Sequence, residues 1–206
     1  MAYSNFSLAK VKEEFDLTFT ENQNVFAQVE PTNSSEILSL LLPDYILLAT
    51  AINTEKARSE LLISQILTEV RRQLNAQVSL FSGTDFNVDE ELGLNGYCDF
   101  IISASPEQYF ISTPVIIVVE AKNENIIGGL GQCVATMLGA QLFNQRAAHE
   151  IPIIYGAVTT GTIWKFLTLA EKSVFIDAVD YHIKEVDKIL GILVQPIQQY
   201  LSTHVA

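Results

Sequence analysis

Val115-Ile116-Ile117-Val118-Val119 is the segment that leaves this chain least freedom. Five consecutive β-branched residues favour an extended backbone, and their lack of alternation means that both faces of the strand are covered. The strand therefore belongs centrally in a sheet, with both faces covered. Its far end changes character at once, to Glu120-Ala121-Lys122. Residues two apart on a strand share a face, so Glu120 and Lys122 point the same way and the small Ala121 points opposite.

The strand before it follows from turn chemistry. Tyr97 to Ala104 reads as a strand, and Ser105 to Pro114, which holds Pro106 and Pro114, reads as the connection. Antiparallel pairing with Ala104 opposite Val115 puts Asp99 opposite Glu120 on one face, with Cβ atoms about 5 Å apart. A slip of one residue would send Asp99 to the other face. Two carboxylates so placed repel each other, and a hard divalent cation between them makes the arrangement sensible. Mg²⁺ takes one or two carboxylates, with waters and phosphate oxygens completing its shell.

The resulting pattern, Asp99 followed by Glu120-Ala121-Lys122, resembles the active-site motif of the PD-(D/E)XK nuclease superfamily over roughly Glu55 to Leu169. Cys98 stands where the proline that names the family would be. The resemblance implies an α/β fold, a restriction-endonuclease-like mixed sheet flanked by helices. It also implies Mg²⁺, or Mn²⁺, held by Asp99 and Glu120, with Lys122 beside them. The chain is expected to form one domain over 1–206, with its catalytic core at about 54–170.

Two neighbouring helices bear on the same site. Thr54 to Leu74 reads as a helix with Asn53 as N-cap and Glu55 in the first turn, and Ile63, Ile66, Leu67, Val70 and Leu74 form its buried stripe. Glu60 lies at the edge of that stripe. It is either a boundary residue reaching solvent or, as the resemblance implies for a helical acid before the core sheet, a third metal ligand. Downstream, Ile126-Ile127-Gly128-Gly129-Leu130-Gly131-Gln132 leads into a helix ending near Arg146, in which Ala135, Gly139 and Ala140 permit close approach to the sheet. Gln132 either caps polar backbone or, as the resemblance implies for a glutamine in this helix, positions water or backbone at the site. The glycines match no nucleotide-binding fingerprint.

Ile153 to Leu167 reads as two strands joined by a Thr-Gly turn, similar to a Thr-x-Gly-x-x-Trp segment in the nuclease domain of type I restriction motor subunits. Trp164 is expected to anchor the core. Phe15 to Phe19 alternates as a strand does, Ser34-Ser35 suits a helix cap, and Tyr181 to Tyr200 has helical spacing with Pro196 as a kink or end. Ile37 to Ile52 is too short for a membrane span and reads as a buried helix pair or a dimer surface. Cys98 and Cys133 read as buried thiols, and His149, His182 and His204 as exposed. Met1 to Glu30 lacks a signal-peptide pattern, so a cytoplasmic protein with no membrane partner is expected.

Charge opposes the nuclease reading. Twelve Lys and Arg against 24 Asp and Glu give a net −12, whereas nucleic-acid binding draws on cations that neutralise phosphates. A local basic cleft built from Lys56, Arg58, Arg71, Arg72, Lys122 and Lys165 would reconcile the two. The expected function is Mg²⁺-dependent hydrolysis of phosphodiester bonds in DNA, with Asp99, Glu120, Lys122 and Gln132 as the working residues. The alternative is an inactive nuclease-like domain that binds nucleic acid or a protein partner, or pairs as a homodimer.

Overall fold

The computed structural model describes residues 2–149 and 151–204. After a 3-10 turn at Tyr3–Asn5, the first half holds α1 (Leu8–Glu14), β1 (Thr18–Thr20), α2 (Glu36–Ile52), α3 (Glu55–Arg58), a π-helical turn (Ser59–Ile63) and α4 (Ser64–Gln73). There follow β2 (Ser79–Asp85), β3 (Tyr97–Ser103), β4 (Val115–Ala121), α5 (Ile126–Arg146), β5 (Ile154–Thr159), β6 (Ile163–Ala170), β7 (Ser173–His182), a 3-10 turn (Ile183–Glu185) and α6 (Val186–His204). Seven strands make one sheet in the order β1-β7-β6-β5-β4-β3-β2. The pairs β1/β7 and β4/β5 are parallel and the others antiparallel. This is the helix-flanked mixed sheet that the resemblance implied, with the β-branched run inside it as β4.

Every residue of β4 is buried. Ile117, Val119 and Ala121 join one hydrophobic cluster with α2, α4 and α6, while Val115 and Val118 join a second with α1 and α5. The hairpin β3/β4 carries Phe100↔Val119, Ile101↔Val118 and Ile102↔Ile117, as the expected register requires. The expected anchor pair differs, because a bulge makes Ser103, rather than Ala104, the partner of Val115. The bulge absorbs one residue of β4, so the slip stops at the turn and does not reach the acidic end. Asn144 of α5 holds the bulged end by accepting the Val115 N–H at 2.8 Å and donating to the Val115 carbonyl at 2.7 Å.

The helix expected at Thr54 to Leu74 is interrupted by the π-helical turn. Asn53 is the left-handed C-cap of α2, and Thr54 is the N-cap of α3, its hydroxyl accepting the Ala57 N–H at 3.2 Å. The stripe from Ile63 to Leu74 is buried as expected. Buried Glu69 joins this helix to α2: it accepts the Ser35 N–H at 3.0 Å and the Ser35 hydroxyl at 2.9 Å, and pairs with Arg72. Burial alone would raise the pKa of Glu69, but the bonds from Gln73 and Ser35 and the Arg72 charge hold it below the ordinary value.

α2 is one helix that keeps Pro43 within it, not a pair. Tyr181 and His182 belong to β7, and Pro196 lies inside α6. In α5 the glycines seat the N-terminal segment as well as the sheet: a Cβ at Gly131 would strike the backbone of Phe6 to Leu8, and one at Gly139 would strike the Tyr3 hydroxyl. Among the described residues α5 is the one helix long and apolar enough to cross a membrane, yet 61% of its most apolar window is buried in the fold. It is a core helix.

Candidate active site

Asp99 and Glu120 meet where β3 and β4 part. The ladder ends at Phe100↔Val119, and at the next position Asp99 turns its carboxylate onto β4 and accepts the Ala121 backbone N–H at 2.7 Å. One oxygen of Asp99 is fixed by that bond. Glu120 is only 4% exposed, because Cys98, Phe100, Val118, Cys133 and Thr136 form the floor around it. Burial, reinforced by the neighbouring Asp99 carboxylate, pushes Glu120 up to about 8 against the opposing pull of Lys122. A buried acid held against a second acid lacks positive charge.

Lys122 supplies part of it. Its ammonium pairs with Glu120 Oε1 and donates to Gln132 Oε1 at 3.5 Å. Burial acts to lower the Lys122 pKa, but Glu120, Asp99 and Glu55 outweigh it and the net shift is upward. The backbone N–H of Lys122 donates to the Thr159 carbonyl of β5 at 2.8 Å, which extends the parallel pairing past the end of β4. The start of α5 is capped by Asn125, whose side chain accepts the Gly128 N–H at 2.9 Å. The next glycine, Gly129, lies against the aliphatic stem of Lys122.

Asp99, Glu120, Lys122 and Gln132 all line one cavity of about 450 Å³, together with Glu55, Gly96, Tyr97 and the N-terminal residues Ala2 to Ser4. Glu60 is not among them. It is exposed and pairs with Lys56 at 3.7 Å. The reason is the π-helical turn, which adds a residue to the helical repeat between α3 and α4, so the stripe read back from Ile63 does not project correctly onto Glu60. Glu55, five residues earlier, is the helical acid at the cavity wall. Among the described residues no three of His, Cys, Asp and Glu come together as a ligand set, so the close acids are two.

The expected basic cleft is not assembled. Of its six cations only Lys122 lines the cavity. Arg72 pairs with Glu69, Lys165 with Asp180 and Lys56 with Glu60. Buried Arg58 instead donates to the Thr160 carbonyl at 3.1 Å and to Asn53 Oδ1 at 2.9 Å. It ties α3 to the β5/β6 turn, where Gly161 takes φ +79° and its carbonyl accepts the indole N–H of buried Trp164 at 3.2 Å. The Thr-Gly-Trp segment thus supports the helix that carries Glu55. Both cysteines are free and buried, and burial pushes the Cys98 thiol up to about 12.

Sequence reasoning missed Glu55 and Tyr97 as parts of this wall. Glu55 was visible only as a first-turn acid, and a π-helical turn has no reliable sequence mark. Tyr97, exposed at the mouth of the cavity, opens the strand that carries Asp99. No protein-family model, curated protein or solved structure matches this chain.

Proposed function

We propose that this chain is a divalent-metal-dependent nuclease of the PD-(D/E)XK kind, hydrolysing phosphodiester bonds in DNA. The observation that carries the reading is the convergence of Asp99, Glu120 and Lys122 on one cavity, with Glu120 buried and its pKa raised beside Asp99. The donors suit a hard cation: two carboxylates, oxygen ligands only, beside about 450 Å³ of space for water and phosphate oxygens. Asp99 and Glu120 would hold Mg²⁺ or Mn²⁺, which when bound supplies a polarised phosphate and a bound water of lowered pKa.

The protein's own groups have separable parts in that chemistry. Asp99 is oriented by the Ala121 N–H, which fixes one oxygen and leaves the other for the cavity. Glu120 has to be ionised to serve as a ligand, and Lys122 favours that state from its side. Lys122 also carries the compact charge that orients an attacking water or stabilises negative charge developing on phosphate. Gln132 steadies Lys122 by accepting a hydrogen bond from its ammonium. Glu55 adds negative charge at the cavity wall, where it favours a cation. Two free buried cysteines accord with a cytoplasmic setting.

A second reading is a nuclease-like domain that binds nucleic acid or a protein partner without cleaving. It is favoured by the single cation at the cavity, because a phosphate backbone finds few partners there. Incubation with supercoiled plasmid, single-stranded DNA and branched DNA, with Mg²⁺ or Mn²⁺, separates the two. Metal-dependent nicking lost in both Glu120→Ala and Lys122→Ala supports the nuclease. Binding without cleavage supports the second reading, and cleavage that survives in both variants removes this site from the chemistry.

A further inference from the structure

The outward face of α2 is apolar along its length except at Asp44. Leu38, Leu42 and Ala49 dock into the core, whereas Leu40 and Leu47 are 77% and 72% exposed and Ile37, Leu41, Leu48 and Ile52 are also exposed. These six side chains leave about 600 Å² of apolar surface on one helix, the upper end of the largest patch on an ordinary monomer. Their spacing is regular. Ile37, Asp44 and Ala51 recur every seven residues, as do Leu40 and Leu47, and Leu41 and Leu48. Sevenfold recurrence marks a seam for a second helix, and a lone polar residue inside such a seam fixes register.

We propose that α2 is a homodimer surface, on which a second copy of this chain lays its own α2 antiparallel across a two-fold axis at Asp44. The stripe reads the same in both directions from Asp44: Leu41 and Leu40 lie three and four residues before it, Leu47 and Leu48 three and four after it, and Ile37 and Ala51 seven away on either side. A two-fold interface must be self-complementary, and this stripe is. Leu40 of one copy meets Leu48 of the other, Leu41 meets Leu47, and Ile37 meets Ala51. Two such faces together bury about 1,200 Å², the lower bound of a specific protein interface. The net −12 charge and the absence of Lys and Arg from α2 count against a membrane surface, which a helix binds through a basic flank. The C-terminal end of α2 lies three residues before Glu55, so the partner would sit beside the wall of the candidate active site.

The test is sedimentation equilibrium of the full chain from one to one hundred micromolar, beside three variants. The wild type is expected to dimerise in this range. Leu40→Glu should weaken association by about a hundredfold or more, since each copy contributes the residue once and the interface therefore carries the change twice, while leaving the far-UV spectrum and melting midpoint near wild type. Asp44→Asn should tighten it by removing two like charges at the axis. Asp44→Cys should form a disulfide-linked dimer under mild oxidation, a reaction the buried Cys98 and Cys133 cannot supply. A wild type that stays monomeric at one hundred micromolar, or an Asp44→Cys that does not cross-link while Leu40→Glu leaves association unchanged, overturns the proposal. So does a monomer that co-sediments with anionic vesicles, which would assign the face to lipid.

Discussion

The Asp99 carboxylate accepts the Ala121 backbone N–H at 2.7 Å and by that bond stands beside the buried Glu120. The pairing sets a pH dependence. Glu120 has an ordinary value of 4.5 and is pushed up to about 8 by burial and Asp99. Its protonated form therefore contributes stability that is fully present below the unfolded value and is lost as pH rises through the folded value. In metal-free buffer, urea unfolding of Glu120→Gln should match wild type near pH 4.5 and exceed it at pH 9, by on the order of a few kcal/mol. Parallel curves for the two proteins from pH 5 to 9 would mean that Glu120 is not held against Asp99.

Gly129 is where the following helix meets the lysine. A methyl group there would lie 2.8 Å from Val158 Cγ1 and 3.1 Å from Lys122 Cγ and Cε. The flexible lysine stem gives way more easily than the buried valine. Gly129→Ala should therefore displace Lys122 from Glu120, while the roughly 1 kcal/mol that alanine gains over glycine in a helix offsets part of the crowding. The expected result is an unfolding free energy within about 1 kcal/mol of wild type, with metal-dependent cleavage reduced at least about tenfold. Full cleavage in this variant would show that the lysine stem needs no fixed path.

How far the sequence carried can be judged from three places. The register of β3 on β4 was legible because the run from Val115 to Val119 reads as a buried strand, and a period of two carries that register as far as Phe100↔Val119, one position short of Asp99 and Glu120. The identity of the helical acid was not legible. Extrapolating a 3.6-residue period from Ile63 back to Glu60 assumes an unbroken α-helix, and the π-helical turn breaks that assumption inside the interval. The strands β2 and β7 were hidden for another reason: Ser79 to Asp85 is mostly polar and forms one edge of the sheet, while Tyr181 and His182 were absorbed into the helical spacing that follows them. The basic cleft failed because a list of cations says nothing of the carboxylates each will meet.

Asn144 is a buried side chain outside the candidate site whose removal should cost more than its size suggests. It satisfies both the N–H and the C=O of Val115, at the bulge where the ladder is irregular. Truncation leaves two buried backbone groups without these partners, each costing about 1–3 kcal/mol. Asn144→Ala should lower the unfolding free energy by about 2–4 kcal/mol, and Asn144→Asp by at least as much at pH 8, because it keeps the acceptor, loses the donor and buries a charge. A loss below about 1 kcal/mol for Asn144→Ala would mean that water replaces the side chain at Val115.

The two acids of the first-half helix make opposite predictions, and together they test how the cavity wall is built. Glu60 and Lys56 are both exposed and 3.7 Å apart, an arrangement in which an ion pair contributes little. Glu60→Ala should change stability by less than about 0.5 kcal/mol and leave metal-dependent cleavage as in wild type. Glu55 lines the cavity and acts on Lys122 through its charge, so Glu55→Gln withdraws one negative charge from the wall without removing volume. Its effect should fall on the metal concentration needed for half-maximal rate, raised by about three- to tenfold, more than on the rate at saturating metal. The reverse pattern, with Glu60→Ala abolishing cleavage and Glu55→Gln neutral, would require the π-helical turn to unwind when metal binds and to bring Glu60 round to the site that Glu55 faces here.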